Sequence, residues 1–334
     1  MLAVEWDAAA HATLEAAALS DRAVCGDVRD LELFAGLEGK VDLLWASPPC
    51  QAWSTAGKRL GAFDERNGWP WTLDIVDRIQ PRWVLCENVL GMVNHQGDCQ
   101  VVQGKVRTGE ALDLFSDAVD APQIGMPPPE DCPGCYWERV VLPEFRTRFP
   151  FVAWKVVNSA NHGVPQMRQR VILLAGPEPI AWPAESHSLS ALVYDKWVGG
   201  SYWTRHGVSP LVRTAPVEKS SAPRTKPTSA PWVTSRDVLS VLSPPAGGYD
   251  GLWVEPHQMA RTVKFRGITD VAMNPDMPSD TVTCRRGGAK TNDALIWDDG
   301  GRLRYLTLPE VAALQAFPSD HPWQGSKSAR CKQV

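Results

Sequence analysis

No apolar run in the chain reaches the roughly 20 residues that a helix needs to cross a bilayer. The N-terminus turns acidic at Glu5 and Asp7, without the basic-then-apolar order of a secretion signal. No membrane span or leader is expected, and a cytoplasmic setting is. Excess charge of either sign is also missing: 34 Lys and Arg stand against 38 Asp and Glu, for a net charge of -4. Nothing therefore draws the whole molecule toward a polyanion, and any nucleic-acid contact must come from a local basic surface. The eight cysteines are scattered without the dense spacing of a disulfide framework, so reduced thiols are expected.

What is present is an ordinary globular composition, 44% hydrophobic and 22% charged over 334 residues, enough for a sizeable core and two domains. Tryptophan is abundant, 15 against 5 tyrosines, either as core filler or as stacking platforms.

The rest of the chain is organised around one stretch. Val41 to Ala46 has the length and residue type of a buried strand, and Pro48-Pro49 cannot continue it, because neither proline donates to a ladder. The chain must turn there, and the turn carries Cys50. Ligands of open α/β sheets bind at the carboxyl ends of strands, which makes this a plausible catalytic edge. A buried structural cysteine beside a proline turn is the alternative.

Further strand ends carry acids. Leu2-Ala3-Val4 runs into Glu5-Trp6-Asp7 and then an alanine-rich helix to Ala18, while Val24-Cys25-Gly26 leads to Asp27. In Rossmann-type folds an acid at the tip of the second strand accepts from ribose hydroxyls and the next residue packs on an adenine, roles that Glu5 and Trp6 fit. Asp27 suits an adenine amino group. Such a fold should also supply a strand and a glycine-rich turn ahead of Glu5.

Trp71 to Ile79 reads as an amphipathic helix, and Trp83 to Cys86 as a buried strand ending in Glu87-Asn88-Val89. If the strands of Cys50 and Glu87 are parallel neighbours, their tips lie about 5 Å apart and both side chains face one small substrate. A thiolate with a nearby carboxylic acid can add to an electron-poor ring. The sulfur attacks a ring carbon while the acid protonates or hydrogen-bonds a ring nitrogen. With cytosine, the adduct is nucleophilic at position 5.

Downstream, Pro143 to Phe149 reads as a short helix, and Phe151 to Val157 and Val171 to Leu174 as strands. Between these strands, Gln166, Arg168 and Arg170 alternate along an extended segment and are expected on one face at a sheet edge. Guanidinium groups there suit phosphate or carbonyl recognition, or simply a solvated edge strand.

Ser47-Pro48-Pro49-Cys50-Gln51, Glu87-Asn88-Val89 and Gly163-Val164-Pro165-Gln166-Met167-Arg168-Gln169-Arg170 together resemble the ordered motifs of the DNA cytosine-5 methyltransferases. The resemblance implies an α/β fold, a Rossmann-like S-adenosylmethionine-dependent methyltransferase sheet with a smaller, irregular target recognition domain. It implies Cys50, Glu87, Arg168 and Arg170 as catalytic residues. The S-adenosylmethionine site would draw on Glu5, Trp6, Asp27, Val28 and Pro48, and substrate contacts on Pro49, Gln51, Ser54, Asn88 and Gln166. The expected partner is double-stranded DNA, in a restriction-modification or phage setting.

Residues 1–177 would be the catalytic domain with an insert near 92–137, residues 178–303 the recognition domain, and residues 304–334 a return to the catalytic domain. Thr307 would cap a helix through Val311 to Phe317. The recognition interval carries basic clusters at Arg213, Lys219, Arg224 and Lys226, at Arg261, Lys264 and Arg266, and at Arg285, Arg286 and Lys290. By the same resemblance, the family's first strand with its glycine-rich turn, and its final motif, are expected to be missing from the sequence given.

Three functional readings follow. The first is methylation of DNA cytosine through a Cys50 adduct. The second is an incomplete or inert DNA-binding member that needs a second polypeptide for cofactor binding, and the third is methylation of RNA cytosine. A thiol hydrolase is disfavoured, because neither His95 nor His162 lies in a turn that aims a base at Cys50. Within the insert, Cys132-Pro133-Gly134-Cys135 is half of a zinc pattern that Cys99 and His95 could complete; a reduced surface turn is the alternative.

Overall fold

The computed structural model describes residues 1–50, 52–53, 62, 64–95, 132–210, 213, 222–244, 248–249, 252–254, 272–282, 295–298 and 302–333. It divides into two compact units. One comprises Met1–Cys25, Asn158–Arg168 and Pro183–Val334, the other Gly26–Val157 and Gln169–Trp182.

The first unit opens with strand β1 (Leu2–Glu5), helix α1 (Ala8–Ala16) and strand β2 (Arg22–Cys25). The strands pair in parallel, Leu2 opposite Arg22 and Glu5 opposite Cys25, with α1 as the crossover. Alanines give α1 its propensity, and Asp7 caps it by accepting from the amides of Ala9 and Ala10 at 2.9 and 3.0 Å.

The second unit holds a four-stranded sheet of β3 (Leu43–Ala46), β4 (Trp83–Val89), β5 (Phe151–Asn158) and β6 (Gln169–Gly176), in the order β3-β4-β6-β5. Helix α2 (Trp69–Ile79) connects β3 to β4. These two strands are parallel, with Leu43 opposite Trp83 and Ala46 opposite Cys86, so the expected neighbourhood of the Cys50 and Glu87 strands is present. β6 runs antiparallel to β4, placing Val89 opposite Arg170 and Glu87 opposite Ile172.

This corrects the expectation of a continuous extended edge segment from Gln166 to Arg170. β6 begins only at Gln169 and lies inside its sheet between β4 and β5. Gln166 makes an isolated bridge with Ser279 instead. The physical reason is that the next residues, Val171, Leu173 and Ala175, are apolar at alternate positions and fully buried, so they pull the strand inward.

The described part of the insert leads into helix. From Pro133 the chain is helical: α3 (Pro133–Tyr136) passes through a π-helical turn (Trp137–Val141) into α4 (Leu142–Arg148). Trp69 of α2 packs edge-on against Trp137 at 5.5 Å and Phe145 at 6.3 Å, and Trp137 against Trp154 at 5.6 Å. Trp53, Trp69 and Trp137 are thus core filler. Trp6 and Trp45 are different, 79% and 68% exposed.

The first unit continues with β7 (His187–Ser188), α5 (Leu189–Trp197), α6 (Ser201–His206), β8 (Ala230–Pro231), α7 (Ser235–Leu239), β9 (Ala272–Met273), β10 (Leu295–Trp297), β11 (Leu303–Tyr305), α8 (Leu308–Leu314) and α9 (Lys327–Gln333). Short, broken elements are what the proline-rich interval dictates. Thr307 does cap α8, in a reciprocal box with Glu310. Arg304 holds the same Glu310 carboxylate at 2.7 Å among buried Leu306, Val311 and Leu314. Thr13 of α1 accepts from the amide of Gln324 at 2.9 Å and donates to Gln333 Oε1 at 2.6 Å, tying the first helix to the C-terminal segment. Among the described residues no helix is long and apolar enough to cross a membrane.

Candidate active site

β3 ends at Ala46 and the chain enters the Pro48-Pro49-Cys50 loop, with Pro48 buried and Cys50 half-buried. Three features hold this loop. The buried amide of Asn88 donates from Nδ2 to the carbonyl of Pro48 at 3.2 Å. The amide of Trp53 donates to the carbonyl of Cys50 at 3.0 Å, closing a turn whose apolar end is the buried Trp53 ring. Gly68, just before α2, lies so close that a Cβ built on it would sit 2.5 Å from Pro49 Cδ and 2.9 Å from Pro48 Cβ. Only hydrogen fits there.

On the neighbouring strand Glu87 precedes Asn88, so one residue pins the thiol loop and the next presents a carboxylate. Arg170 Nε lies 2.7 Å from Glu87 Oε1, with both side chains about three-quarters or more buried. The cross-strand register produces this contact: Arg170 opposes Val89, and its long side chain reaches back along β4 to Glu87. A partly desolvated, guanidinium-held carboxylate beside a thiol-bearing loop can hydrogen-bond a polar ring edge while the sulfur attacks carbon.

Cys86 offers a contrast within the same strand. Burial in the sheet pushes its thiol pKa far up and keeps it protonated, which leaves it a core residue. His95 lies beside Cys132 and Cys135, so it supplies no base to Cys50.

The remaining expected residues fall as follows. Gln166 is 1% exposed, and neither of its side-chain amide atoms has a partner among the described residues. The backbone around it is fixed by Ser159 Oγ donating to its carbonyl at 2.6 Å and by Ser279, which exchanges bonds with Pro165 and Met167. Arg168 is half-buried, and its carbonyl accepts from the amide of Ser159 at 3.1 Å. Gln51 and Ser54 lie outside the described residues, as do Cys99, Lys219 and the basic clusters at 261–266 and 285–290.

Of the cofactor candidates, Glu5 ends β1 and accepts from the amide of Asp7 at 2.9 Å, while the Trp6 ring beside it stands in solvent. Asp27 is clasped by Arg29, whose Nε lies 3.0 Å from both carboxylate oxygens, and this hydrogen-bonded pairing holds its pKa down to about 2. Val28 and Pro49 are half-buried. Sequence reasoning missed Gly68 and the Arg29 clasp. The Asn67-Gly68 turn before a helix was the available sign of the first, and the i, i+2 spacing of opposite charges that of the second.

A thiol and a guanidinium-held carboxylate at adjacent carboxyl ends of an α/β sheet are the equipment that covalent catalysis uses. The family model of the C-5 cytosine-specific DNA methylases matches residues 1–116 and 150–334, and the chain belongs to that family. It is similar to the type II methyltransferase M.AplI of Arthrospira platensis, 26% identical over 319 residues that make up 95% of this chain and 69% of that one. It is also similar to M.NaeI of Lentzea aerocolonigenes, 28% identical over 215 residues, 60% of this chain and 43% of that one. With M.Eco47II of Escherichia coli it shares 24% identity over 325 residues, 92% of this chain and 63% of the relative, so the chain spans about half to two-thirds of these proteins. The fold matches the Dnmt2 methyltransferase of S. pombe, with a TM-score of 0.55 at 14% identity, covering 99% of this chain and 84% of that one.

Proposed function

We propose that the chain transfers a methyl group to carbon 5 of a cytosine flipped out of duplex DNA, with Cys50 as nucleophile. The observation that carries this reading is the Glu87–Arg170 pair on the strand parallel to the one that delivers Cys50. Cys50 forms a carbon–sulfur bond at carbon 6 of the ring. Glu87 meets ring nitrogen 3 and the exocyclic amine, so that charge does not build up on the heterocycle. Arg170 holds that carboxyl in place, and Arg168 supplies a second cation for phosphate. Once carbon 5 is methylated, it loses its proton to solvent and the Cys50 thiolate leaves. The base must leave the stack for any of this, because neither face of a stacked cytosine is open to a thiol.

S-adenosylmethionine, when bound, supplies the electrophilic methyl. The residues fit its adenosine half in part: Glu5 offers carboxylate oxygens at a strand tip and Trp6 an exposed ring, whereas Asp27 has its oxygens engaged by Arg29. Residues 178–303 would read the target sequence, with phosphate contacts from Arg213, Arg224 and Lys226, in a restriction-modification or phage setting inside the cell.

The test is a duplex carrying 5-fluorocytosine, which loses no proton from carbon 5 and arrests the adduct. A covalent complex resistant to denaturation is expected from the intact chain with S-adenosylmethionine, and none from Cys50→Ser. Adduct formation on structured RNA in preference to duplex DNA would redirect the substrate.

A second reading is favoured by the outer edge of β3, which has no strand partner among the described residues and exposes Leu43 (51%) and Trp45 (68%). In that reading a second polypeptide supplies a further strand and completes the cofactor site. Calorimetric binding of S-adenosylmethionine by this chain alone would refute it.

A further inference from the structure

Three metal-type donors converge at the start of α3. His95 Nδ1 lies 3.6 Å from Cys132 Sγ and 3.6 Å from Cys135 Sγ, and all three ligand atoms fall within 4.8 Å of one another. Both cysteines are buried, 2% and 0% exposed, and neither is in a disulfide.

The spacing discriminates between two readings. Two thiols hydrogen-bonded to one imidazole nitrogen would compete for its single in-plane lone pair, and one would be displaced. Donors around a common tetrahedral ion have no such conflict. With Zn–S about 2.3 Å and Zn–N about 2.0 Å, a tetrahedral angle puts sulfur and nitrogen about 3.5 Å apart. The two equal separations match that edge.

The other ring nitrogen points the same way. His95 Nε2 faces Glu138 Oε1 at 3.4 Å. A carboxylate there keeps the ring proton on Nε2 and leaves the Nδ1 lone pair for a metal, the carboxylate–histidine–metal arrangement. Backbone geometry serves the cluster too. The Gly134 amide donates to the Asn94 carbonyl at 3.2 Å, and a Cβ at Gly134 would stand 2.8 Å from the His95 ring. Glycine lets the cysteine turn close on the imidazole. Both cysteines and Glu138 fall in residues 117–149, which the family model leaves unmatched, while His95 falls within the matched residues 1–116.

We propose that His95, Cys132 and Cys135 bind a zinc ion that clips the two ends of the excursion through residues 96–131. Binding takes a neutral imidazole and two thiolates, so two protons pass to solvent for each ion bound. The clip fixes the entry to α3, whose continuation brings Trp137 against Trp69. Its contribution is to folding, because an ion held by ligands that only the folded chain brings together adds its binding free energy to that of folding.

The test uses the full chain, purified without added metal or chelator and analysed by plasma mass spectrometry. About one zinc per chain is expected, and none in a Cys132→Ser/Cys135→Ser double variant. Because that variant can fail to fold, a second measurement uses the native chain. Stripped with a chelator and titrated with cobalt(II), it should develop the near-ultraviolet charge-transfer bands of thiolate ligation. Glu138→Gln should weaken zinc binding roughly tenfold while leaving those bands in place. A native chain that carries no zinc and gives no thiolate bands with cobalt overturns the proposal, as does a folded double variant that keeps its zinc.

Discussion

Asn88 offers the sharpest test of how the thiol loop is held. Its side chain is 2% exposed, donates to the Pro48 carbonyl at 3.2 Å and accepts from the Val89 amide at 2.9 Å. Asn88→Ala removes both bonds and leaves a buried carbonyl unpaired. A typical net hydrogen bond of about 1 kcal/mol and an orphaned buried acceptor of about 1–3 kcal/mol together give a loss of roughly 2–4 kcal/mol. Asn88→Asp keeps the shape and the bond from Val89 but sets an anionic oxygen against the Pro48 oxygen, so above neutral pH it should be worse than alanine.

The introduced carboxyl would prefer to be protonated in the folded state, since its O–H then replaces the lost donor. Its folded pKa is therefore raised above the unfolded value of about 3.9, and the stability it supplies is present below that value and lost as pH rises through the folded pKa. Urea unfolding at pH 5 and pH 8 should show Asn88→Asp recovering toward wild type at the lower pH while Asn88→Ala does not. Adduct formation on the fluorinated duplex should fall by about 10²-fold in both variants at pH 8, the usual penalty for an ångström of misplacement. Wild-type midpoints and adduct rates in Asn88→Asp at pH 8 would refute the claim that this bond positions Cys50.

Gly68→Ala places a methyl group within 2.5 Å of the Pro49 ring, and since neither proline can rotate away the loop backbone must move. A loss of about 1–3 kcal/mol in thermal or urea unfolding is expected, with methyl transfer reduced more than stability; unchanged transfer would show that the loop tolerates displacement. In the first unit, burial would raise the Asp237 pKa, but bonds from the Thr234 amide and hydroxyl, His206 and Arg205 outweigh it and hold the carboxyl low. A depressed folded pKa means stability that is present above the unfolded carboxylate value and lost as pH falls through the folded one. The wild-type unfolding midpoint should drop between about pH 5 and 3, and Asp237→Asn should be less stable at neutral pH with a flatter acid limb.

The parts of the site legible in the sequence were those carried by composition over a few residues. An apolar run ending in Pro-Pro-Cys and another ending in Glu-Asn-Val had to be strands, and the parallel pairing of β3 and β4 followed from the helix between them. The Thr307 cap was equally local. Contacts that depend on distant partners were not legible. Nothing local says that Arg170 will oppose Val89 and so reach Glu87, or that buried alternate residues will draw β6 inside the sheet. The short helix from Pro143 was legible, but the helical start from Pro133 was missed because Tyr136, Trp137, Val140 and Val141 wrap around a π-turn and blur the 3.6-residue period. The abundant tryptophans were undecidable from composition, since Trp69 and Trp6 differ only in what lies opposite them.

The one-sided pairing of β3 bears on how the enzyme ages. Its outer edge has no ladder among the described residues, so the strand that delivers Cys50 is paired on one side only, with β4, and is otherwise held by Leu44 and Ala46 packing on the core, by the Asn88 amide and by the turn closed on Trp53. Such a strand opens locally at a fraction of the free energy of global unfolding. Mild denaturant would therefore loosen this strand early, whereas a thiol-directed oxidant meets the exposed Cys25 before the half-buried Cys50. A preparation could keep its circular dichroism and its melting curve after the Cys50 loop had already failed.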